Sequence, residues 1–444
     1  MPPAFFGAQG YGAGAIGGRG GQVIEVTNLA NSGPGSFRAA IDTLGPRVVV
    51  FRVGGAIQLT APLVLKNPFI TIAGQTAPGG GIMLTGLPGL FRHQASQAII
   101  RFLRFRSVLG VGEQGMGQSP LVISNGVEET IMDHLTVSWG GDDTGPWMGI
   151  GAPDTWIRKL TLMNCIFSEG LAGHSTGLLV GGTANYSAVP PVEQYLKVKD
   201  IDVHHCLFVH NYDRNPRFAC ASAKGVNNVV YNWGSRVGLL ANGGSYDLIN
   251  NYWKPGPMKN SAIIVKYERD TGSPPPSLYI AGNIVAGSFE NPAADNKTLI
   301  QQNPVAGVGS LPLSYFRNTP LPDAQYPIVI QSALDAYASV LAKAGANARL
   351  DGNGAWVANP DSVDLRVLAD VKNGTGWAAA VASPAAAGGF PVLAPGVPYV
   401  DTDKDGMPNV WETAQGLNPN SASDAKLVGA GGYTNVERYL NGPV

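Results

Sequence analysis

The stretches "VNNVVYNW" (residues 226–233) and "YDLINNYW" (residues 246–253) decide the fold. Each is a short β-branched and aromatic run with asparagine near its middle. The same design occurs in "AIIRFLRFRS" (98–107), "TIMDHLTVSW" (130–139), "KLTLMNCIFSEG" (159–170), "DIDVHHCLFVHN" (200–211) and "LYIAGNIVAGS" (278–288). Aligning His134, Cys165, Cys206, Asn228, Asn251 and Asn283 gives spacings of 31, 41, 22, 23 and 32 residues. The shortest spacings are nearly constant, and the longer ones read as that unit plus an inserted loop. A recurring unit of this size implies stacked coils, each burying its face on its neighbours. No helical pattern separates the runs. The expected fold is all-β: a right-handed parallel β-helix with long loops on one side. Asn228, Asn251 and Asn283 are expected to stack as a ladder at a bend, where asparagine tolerates left-handed backbone. Cys165 and Cys206 should lie on adjacent rungs as buried thiols.

Composition agrees. The 444 residues carry a formal net charge of -1, only 14 % are charged, and glycine (59) and proline (33) are abundant. Such a chain has no basic face for nucleic acid or an anionic membrane. It also lacks an apolar run long enough to span a bilayer. Three cysteines, Cys165, Cys206 and Cys220, make no disulfide framework. The start "MPPAFFGAQG" has neither the basic nor the apolar region of a signal peptide, so the expectation is a cytosolic or already processed chain.

Beyond the repeat, "PIVIQSALDAYASVLAKAGA" (327–346) has apolar residues at helical spacing and a glycine stop signal. This helix is expected to pack outside the coils. The expected division is a β-helix over 1–320, an extension over 321–377, a Pro/Ala/Gly-rich linker over 378–398 and a tail over 399–444. In the tail, "DTDKDGMPNVWE" fits D-x-D-x-D-G-x5-E at every position. Asp401, Asp403, Asp405 and Glu412 are therefore expected to hold Ca2+, with Gly406 at the turn. Calcium modules of this kind favour a secreted protein.

Several longer stretches carry a resemblance. These are "GAQGYGAGAIGGRGGQVIEVTNLANSGPGSFRAAI" (7–41), "ITIAGQTAPGGGI" (70–82), "DHLTVSW" (133–139), "SEGLAGHSTGLLVGG" (168–182), "HHCLFVHNYDRNPRF" (204–218), "YNWGS" (231–235) and "NNYWKPGP" (250–257). In this order they resemble bacterial pectate lyases of polysaccharide lyase family 1. The resemblance implies the same β-helix and a secreted, calcium-dependent enzyme, expected to be a monomer. The implied reaction is β-elimination on de-esterified homogalacturonan. Alternatives are a lyase acting on methyl-esterified pectin and a non-catalytic polysaccharide-binding β-helix.

The resemblance also implies roles. Asp133 becomes a calcium ligand, joined by Asp142 or Asp143, since clustered carboxylates suit a hard cation. Glu169 in "SEG" is a weaker candidate. Arg214 of "RNPRF" maps onto the residue assigned as catalytic base. Two departures stand out: Ala219 occupies the place of a second arginine, and "AGHSTG" replaces a segment that carries a substrate-binding lysine. His174, Arg217 and Lys224 are the candidate substitutes. Trp139, Trp147 and Trp156 could stack on sugar rings or simply fill the core.

Overall fold

The computed structural model describes residues 1–443 apart from 109–117, 153, 184–195, 259–262, 270–272 and 303–310. Among the described residues, strands form three parallel sheets of ten, nine and nine strands, beside one antiparallel pair, Ala348–Leu350 with Trp356–Ala358. One coil shows how the chain runs. Val127–Asp133 lies in the first sheet, Thr136–Ser138 in the second and Trp147–Ile150 in the third; Ile157–Met163 then returns to the first. Every neighbouring pair of strands in these three sheets is parallel, with one register shift, between Met148 and Gly149 where Trp147–Ile150 pairs with Leu179–Thr183, so the fold is a right-handed parallel β-helix. The interior is one continuous apolar column of residues such as Leu160, Leu162, Phe167, Val180, Val203 and Phe208. Such nearly uninterrupted apolar strands are what a sheet covered on both faces requires.

The asparagine ladder is present, with a shifted neighbour. Cys206 N donates to Asn228 Oδ1 at 3.0 Å, Asn228 N to Asn251 Oδ1 at 2.9 Å, and Asn251 N to Asn283 Oδ1 at 2.9 Å. Asn296 ends the row by accepting from Asn283 N at 2.7 Å. The amide nitrogens of Asn228, Asn251 and Asn283 donate to carbonyls of the preceding coil, so these buried amides are satisfied. Cys165 and Cys206 extend the row with sulfur. Leu135, not His134, occupies the equivalent position on the coil before, its N–H donating to Cys165 Sγ at 3.4 Å. The left-handed bend falls at His134, Asn164, His205, Asn227 and Asn250, in each coil one residue before the ladder position. A side chain at the bend points outward, and the next residue turns its side chain into the ladder.

The ends and outer faces are covered. The helix Phe37–Asp42, capped by the Ser36 hydroxyl, places Phe37, Ala40 and Ile41 on the first coils. The expected helix is Ala333–Lys343 with Ser332 as its N-cap, and a second, Ser362–Asn373, is capped by Asp361 and ends at left-handed Gly374. Both pack on the second sheet through Val340, Leu341, Val367 and Val371. Buried charge fixes the second helix: Arg106 contacts Asp361 at 2.6 Å and Asp364 at 2.8 Å, and Arg104 contacts Asp361 at 3.1 Å. The segment 378–398 runs along the coils, with Ala172 N donating to Val381 O at 2.7 Å and Gly80 N to Ala394 O at 2.8 Å. The tail then covers the first sheet: Met407, Trp411, Val436, Tyr439 and Leu440 pack on Val48 and Val50. No helix among the described residues is long and apolar enough to cross a membrane.

Candidate active site

Three successive coils carry long connections between the second and third sheets. They are joined edge to edge, since Asp143 bridges to Thr176 and Thr176 to Asp213. Thr144 N donates to Thr176 O at 2.8 Å, Gly177 N to Asp213 O at 2.8 Å and Leu178 N to Arg214 O at 2.9 Å. Polar loops far apart in sequence thus become one rigid surface. Gly177 is needed for this approach, because a Cβ there would lie 2.3 Å from Asn215 Oδ1 and 2.7 Å from Arg214 O.

The surface gathers Asp142, Asp143, His174, Thr176, Asp213 and Arg214. Asp142 Oδ1 hydrogen-bonds to His174 Nδ1. Asp143, 1 % exposed, accepts from Thr176 Oγ1 at 2.7 Å through Oδ1, while its Oδ2 has no hydrogen-bond partner among the described residues. Burial, then the adjacent Asp142 charge, pushes the Asp143 carboxyl up to about 6 against the opposing pull of Thr176, Arg214 and His174. Arg214 sits on left-handed backbone (φ 57°) and directs its side chain into this corner. Its Nε is buried without a partner among the described residues. Asp213 forms no side-chain ion pair with it among the described residues. One Asp213 oxygen accepts from Arg214 N at 2.6 Å, and the other pairs with Arg236 at 2.7 Å.

A cleft of about 410 Å³ opens over these groups, lined by His174, Ser175, Thr176, Asp213 and Arg214, with Tyr212 at its edge and Ala379 and Ala380 opposite. The Tyr212 ring, 47 % exposed, lies where a Cβ on Gly234 would be, 2.1 Å from the ring edge. Sequence reading passed over Tyr212 because one aromatic in "NYDRNP" has no periodic signal. It also gave no sign that Ala379 and Ala380 return to form a wall.

Two of the expected site residues lie elsewhere. Asp133 ends a strand of the first sheet, around a corner of the coil from Asp142. Its carboxylate is buried and engaged by Arg101 Nε at 2.8 Å, His134 Nδ1 at 2.7 Å and Asn164 Nδ2 at 3.1 Å. Burial alone would raise its pKa, but the His134 and Arg101 charges and the hydrogen bonds hold it well below the usual carboxylate range. A carboxylate with those partners is a buried ion pair, not a cation ligand shared with Asp142. Lys224 is on the first sheet, donating to Pro322 O at 2.9 Å and facing the Tyr11 ring at 5.3 Å, so it does not reach the cleft. Arg217 lies on the third sheet beyond Arg214; its neighbour Phe218 fills the core, so Arg217 faces outward.

Glu169 is also a structural group. Fully buried, it accepts from Arg366 at 2.6 and 2.9 Å, Trp139 Nε1 at 3.0 Å and Trp377 Nε1 at 2.6 Å. Trp139 is therefore core, and Trp147 is buried against Val122 and Leu179. Trp156 is 42 % exposed beside Arg158, at the corner leading back to the first sheet.

In the tail, ligand atoms of Asp401, Asp403 and Asp405 lie within 4.8 Å of one another, as do those of Asp405, Glu412 and Asp424. Burial, with the neighbouring carboxylates, pushes Asp405 up to about 8 and Glu412 up to about 7. Asp424 lies outside the twelve-residue motif, which is why spacing did not find it.

No family model matches the chain. It is 34% identical over 448 residues to "Probable pectate lyase C" of Aspergillus fumigatus, covering 99% of this chain and 93% of that protein. The protein of the same name from Aspergillus terreus is 32% identical over 449 residues, with the same coverage. Among solved structures, jun a 1, the major allergen from cedar pollen, superposes with a TM-score of 0.54 at 17% identity, over 76% of this chain and 92% of that one. The pectate lyase from Acidovorax avenae subsp citrulli gives 0.52 at 12% identity, over 76% and 94%. The structures share the fold; the full-length sequence identity goes further. This chain belongs to the pectate lyase family and is a polysaccharide lyase.

Proposed function

We propose that the chain is a secreted pectate lyase of polysaccharide lyase family 1. It cleaves α-1,4-linked polygalacturonate by calcium-assisted β-elimination and leaves 4,5-unsaturated oligogalacturonides. The observation that supports this most is Arg214: a guanidinium beside two carboxylates, with its Nε unpartnered among the described residues, while Asp213 is taken by Arg236. An arginine held in a cleft in this way is available to substrate.

In β-elimination the C5 proton of a galacturonate leaves and the bond from C4 to the glycosidic oxygen breaks. The proton is poorly acidic while the adjacent carboxylate keeps its full charge. The oxygen ligands at the cleft fit a hard cation, since Asp143 Oδ2 is a buried carboxylate oxygen with no donor among the described residues and Asp142 is adjacent. A calcium ion held by Asp142 and Asp143 and shared with the sugar carboxylate would supply the charge that stabilises the enolate. Arg214 would take the C5 proton as the neutral guanidine, after giving one guanidinium proton to solvent under the charge of the bound cation, while the departing glycosidic oxygen takes a proton from water. A guanidinium in water holds its proton too tightly to rest as a neutral base. His174, fixed by Asp142, and Arg217 bind uronate groups on either side, and Tyr212 offers an apolar face to a sugar ring. The two carboxylates weigh against methyl-esterified pectin as substrate, since an ester brings no charge to share with a cation.

Absorbance of the unsaturated product on polygalacturonate, with and without chelator, tests the reading. Turnover should vanish on chelation and in Asp143→Ala. Chelator-resistant turnover, or a preference for fully esterified pectin, would overturn it.

The loop Asp401–Glu412 is a second calcium site in this reading, and a structural one. Glu412 is fully buried with neither oxygen hydrogen-bonded, and both Asp403 oxygens likewise lack donors among the described residues. Unpaired buried carboxylates are costly, and a bound cation removes that cost.

A further inference from the structure

We infer that Asp424 is a ligand of the tail metal site, and that the ion thereby fastens the last helix of the chain to the coil stack. The inference rests on reading Asp401–Glu412 as a metal loop. Its own observation is separate. Asp424 Oδ2 is occupied, accepting from Asn418 N at 2.9 Å. Asp424 Oδ1 is buried and has no hydrogen-bond partner among the described residues, and a carboxylate oxygen of Asp424 lies within 4.8 Å of ligand atoms of both Asp405 and Glu412. Asp405 Oδ2 and both Glu412 oxygens lack partners as well, at residues 2 % and 0 % exposed. Three carboxylates with undonated oxygens thus lie together, and Arg52 approaches Asp401 only to 3.8 Å. Calcium takes 6–8 oxygens in loose geometry, and the loop's undonated carboxylate oxygens among the described residues are five: two of Asp403, two of Glu412 and one of Asp405. A carboxylate from outside the loop fills that need.

Ligation by Asp424 has a mechanical consequence. The Asp424 carbonyl accepts from Asn435 Nδ2 at 2.9 Å, and Asn435 opens the helix Asn435–Asn441. That helix carries Val436, Tyr439 and Leu440 onto the first sheet beside Met407 and Trp411. One ion therefore ties together the loop, the turn at Asp424 and the helix that covers the sheet. The expected ligand is a divalent cation of calcium's size and hardness.

Calcium titration of the full, chelator-stripped chain tests this, read by calorimetry and by terbium luminescence sensitised through Trp411. Asp142→Asn/Asp143→Asn is the common background, so that only the tail site is seen. Asp424→Asn should weaken tail binding by about tenfold or more, as loss of a charged ligand does. It should also expose 418–441 to protease at calcium levels that protect the parent. If Asp403→Asn abolishes tail binding while Asp424→Asn binds like the parent, Asp424 is not a ligand and the loop reading stands. If the parent shows no tail binding, the loop reading itself fails. If Asp424→Asn leaves Trp411 exposed even in saturating calcium, Asp424 acts in folding rather than ligation, and the inference is wrong.

Discussion

Replacing Glu169 tests how the cleft is built. The residue touches no group that we assign to chemistry, yet four donors converge on its buried carboxylate: both terminal nitrogens of Arg366 and the indoles of Trp139 and Trp377. Glu169→Gln keeps the size and removes the charge. Its amide nitrogen would then confront donors it cannot accept from. Removing one partner of a buried ion pair costs about 3–5 kcal/mol. The Arg366 side chain is 30% exposed and can partly rehydrate, which favours the lower end, about 3 kcal/mol. That loss falls on the segment from the helix Ser362–Asn373 to Trp377, and the next residues include Ala379 and Ala380 on the cleft wall. An energy of this size raises local opening by roughly 10²-fold. Hydrogen exchange of peptides spanning 362–381 should speed up by that order, with little change in the coil strands. The KM for polygalacturonate should rise while kcat falls by less, since Arg214, Asp142 and Asp143 stay in place. Unchanged exchange at 362–381, or a fall in kcat with KM unchanged, would refute this account of the wall.

Three further outcomes follow from the geometry. Arg214→Lys should lose kcat almost as fully as Arg214→Ala, by about 10²-fold or more if Arg214 is the base, whereas a lysine variant within about tenfold of wild type would leave it only a carboxylate clamp. Asp133→Asn should lower the melting temperature without removing turnover in the folded protein. Because the native pKa of Asp133 is depressed, its stabilisation is present above the ordinary range near 4 and is lost as pH falls through the native value; the variant's deficit should therefore shrink when melting is measured toward acid pH. Asp403→Ala should lower the melting temperature in calcium but leave kcat at low temperature nearly unchanged, and a selective loss of kcat would move the tail site into the catalytic machinery.

The parts legible in sequence were those that repeat. Asn228, Asn251 and Asn283 could be aligned because each coil presents the same side chain at the same bend, and the ladder follows from that. Apolar residues at helical spacing and a following glycine marked the helix within 327–346, and the tail loop was visible because its ligands alternate along a few residues. What failed was proximity judged along the chain. Asp133 and Asp142 are close in sequence, but the coil turns a corner between them, from the first sheet toward the third. Lys224 is one turn on from Arg214 but on the wrong sheet. The partners of Asp133 and Glu169, namely Arg101, Asn164, Arg366 and Trp377, come from other coils or from the C-terminal arm, and no spacing rule connects them.

That difference bears on how a coil stack holds a reactive site. Side-by-side strands fix backbone register, so Asp143, Thr176 and Asp213 are aligned by the same parallel pairing that makes the sheets. The stack fixes only one side of a cleft, since its outer faces are nearly flat. The opposite side must come from chain outside the repeat, where no ladder sets position. Here the arm is held by buried charge: Asp361 and Asp364 on Arg104 and Arg106, and Arg366 on Glu169. Buried ion pairs add little net stability compared with well-packed apolar groups, but mispairing them is costly. They are poor material for a core and good material for fixing one docking position among many. Their placement between the helix Ser362–Asn373 and the coils that bear the site is what that role requires. Small side chains at Ala379 and Ala380 then keep the fixed wall clear of the width a sugar chain needs.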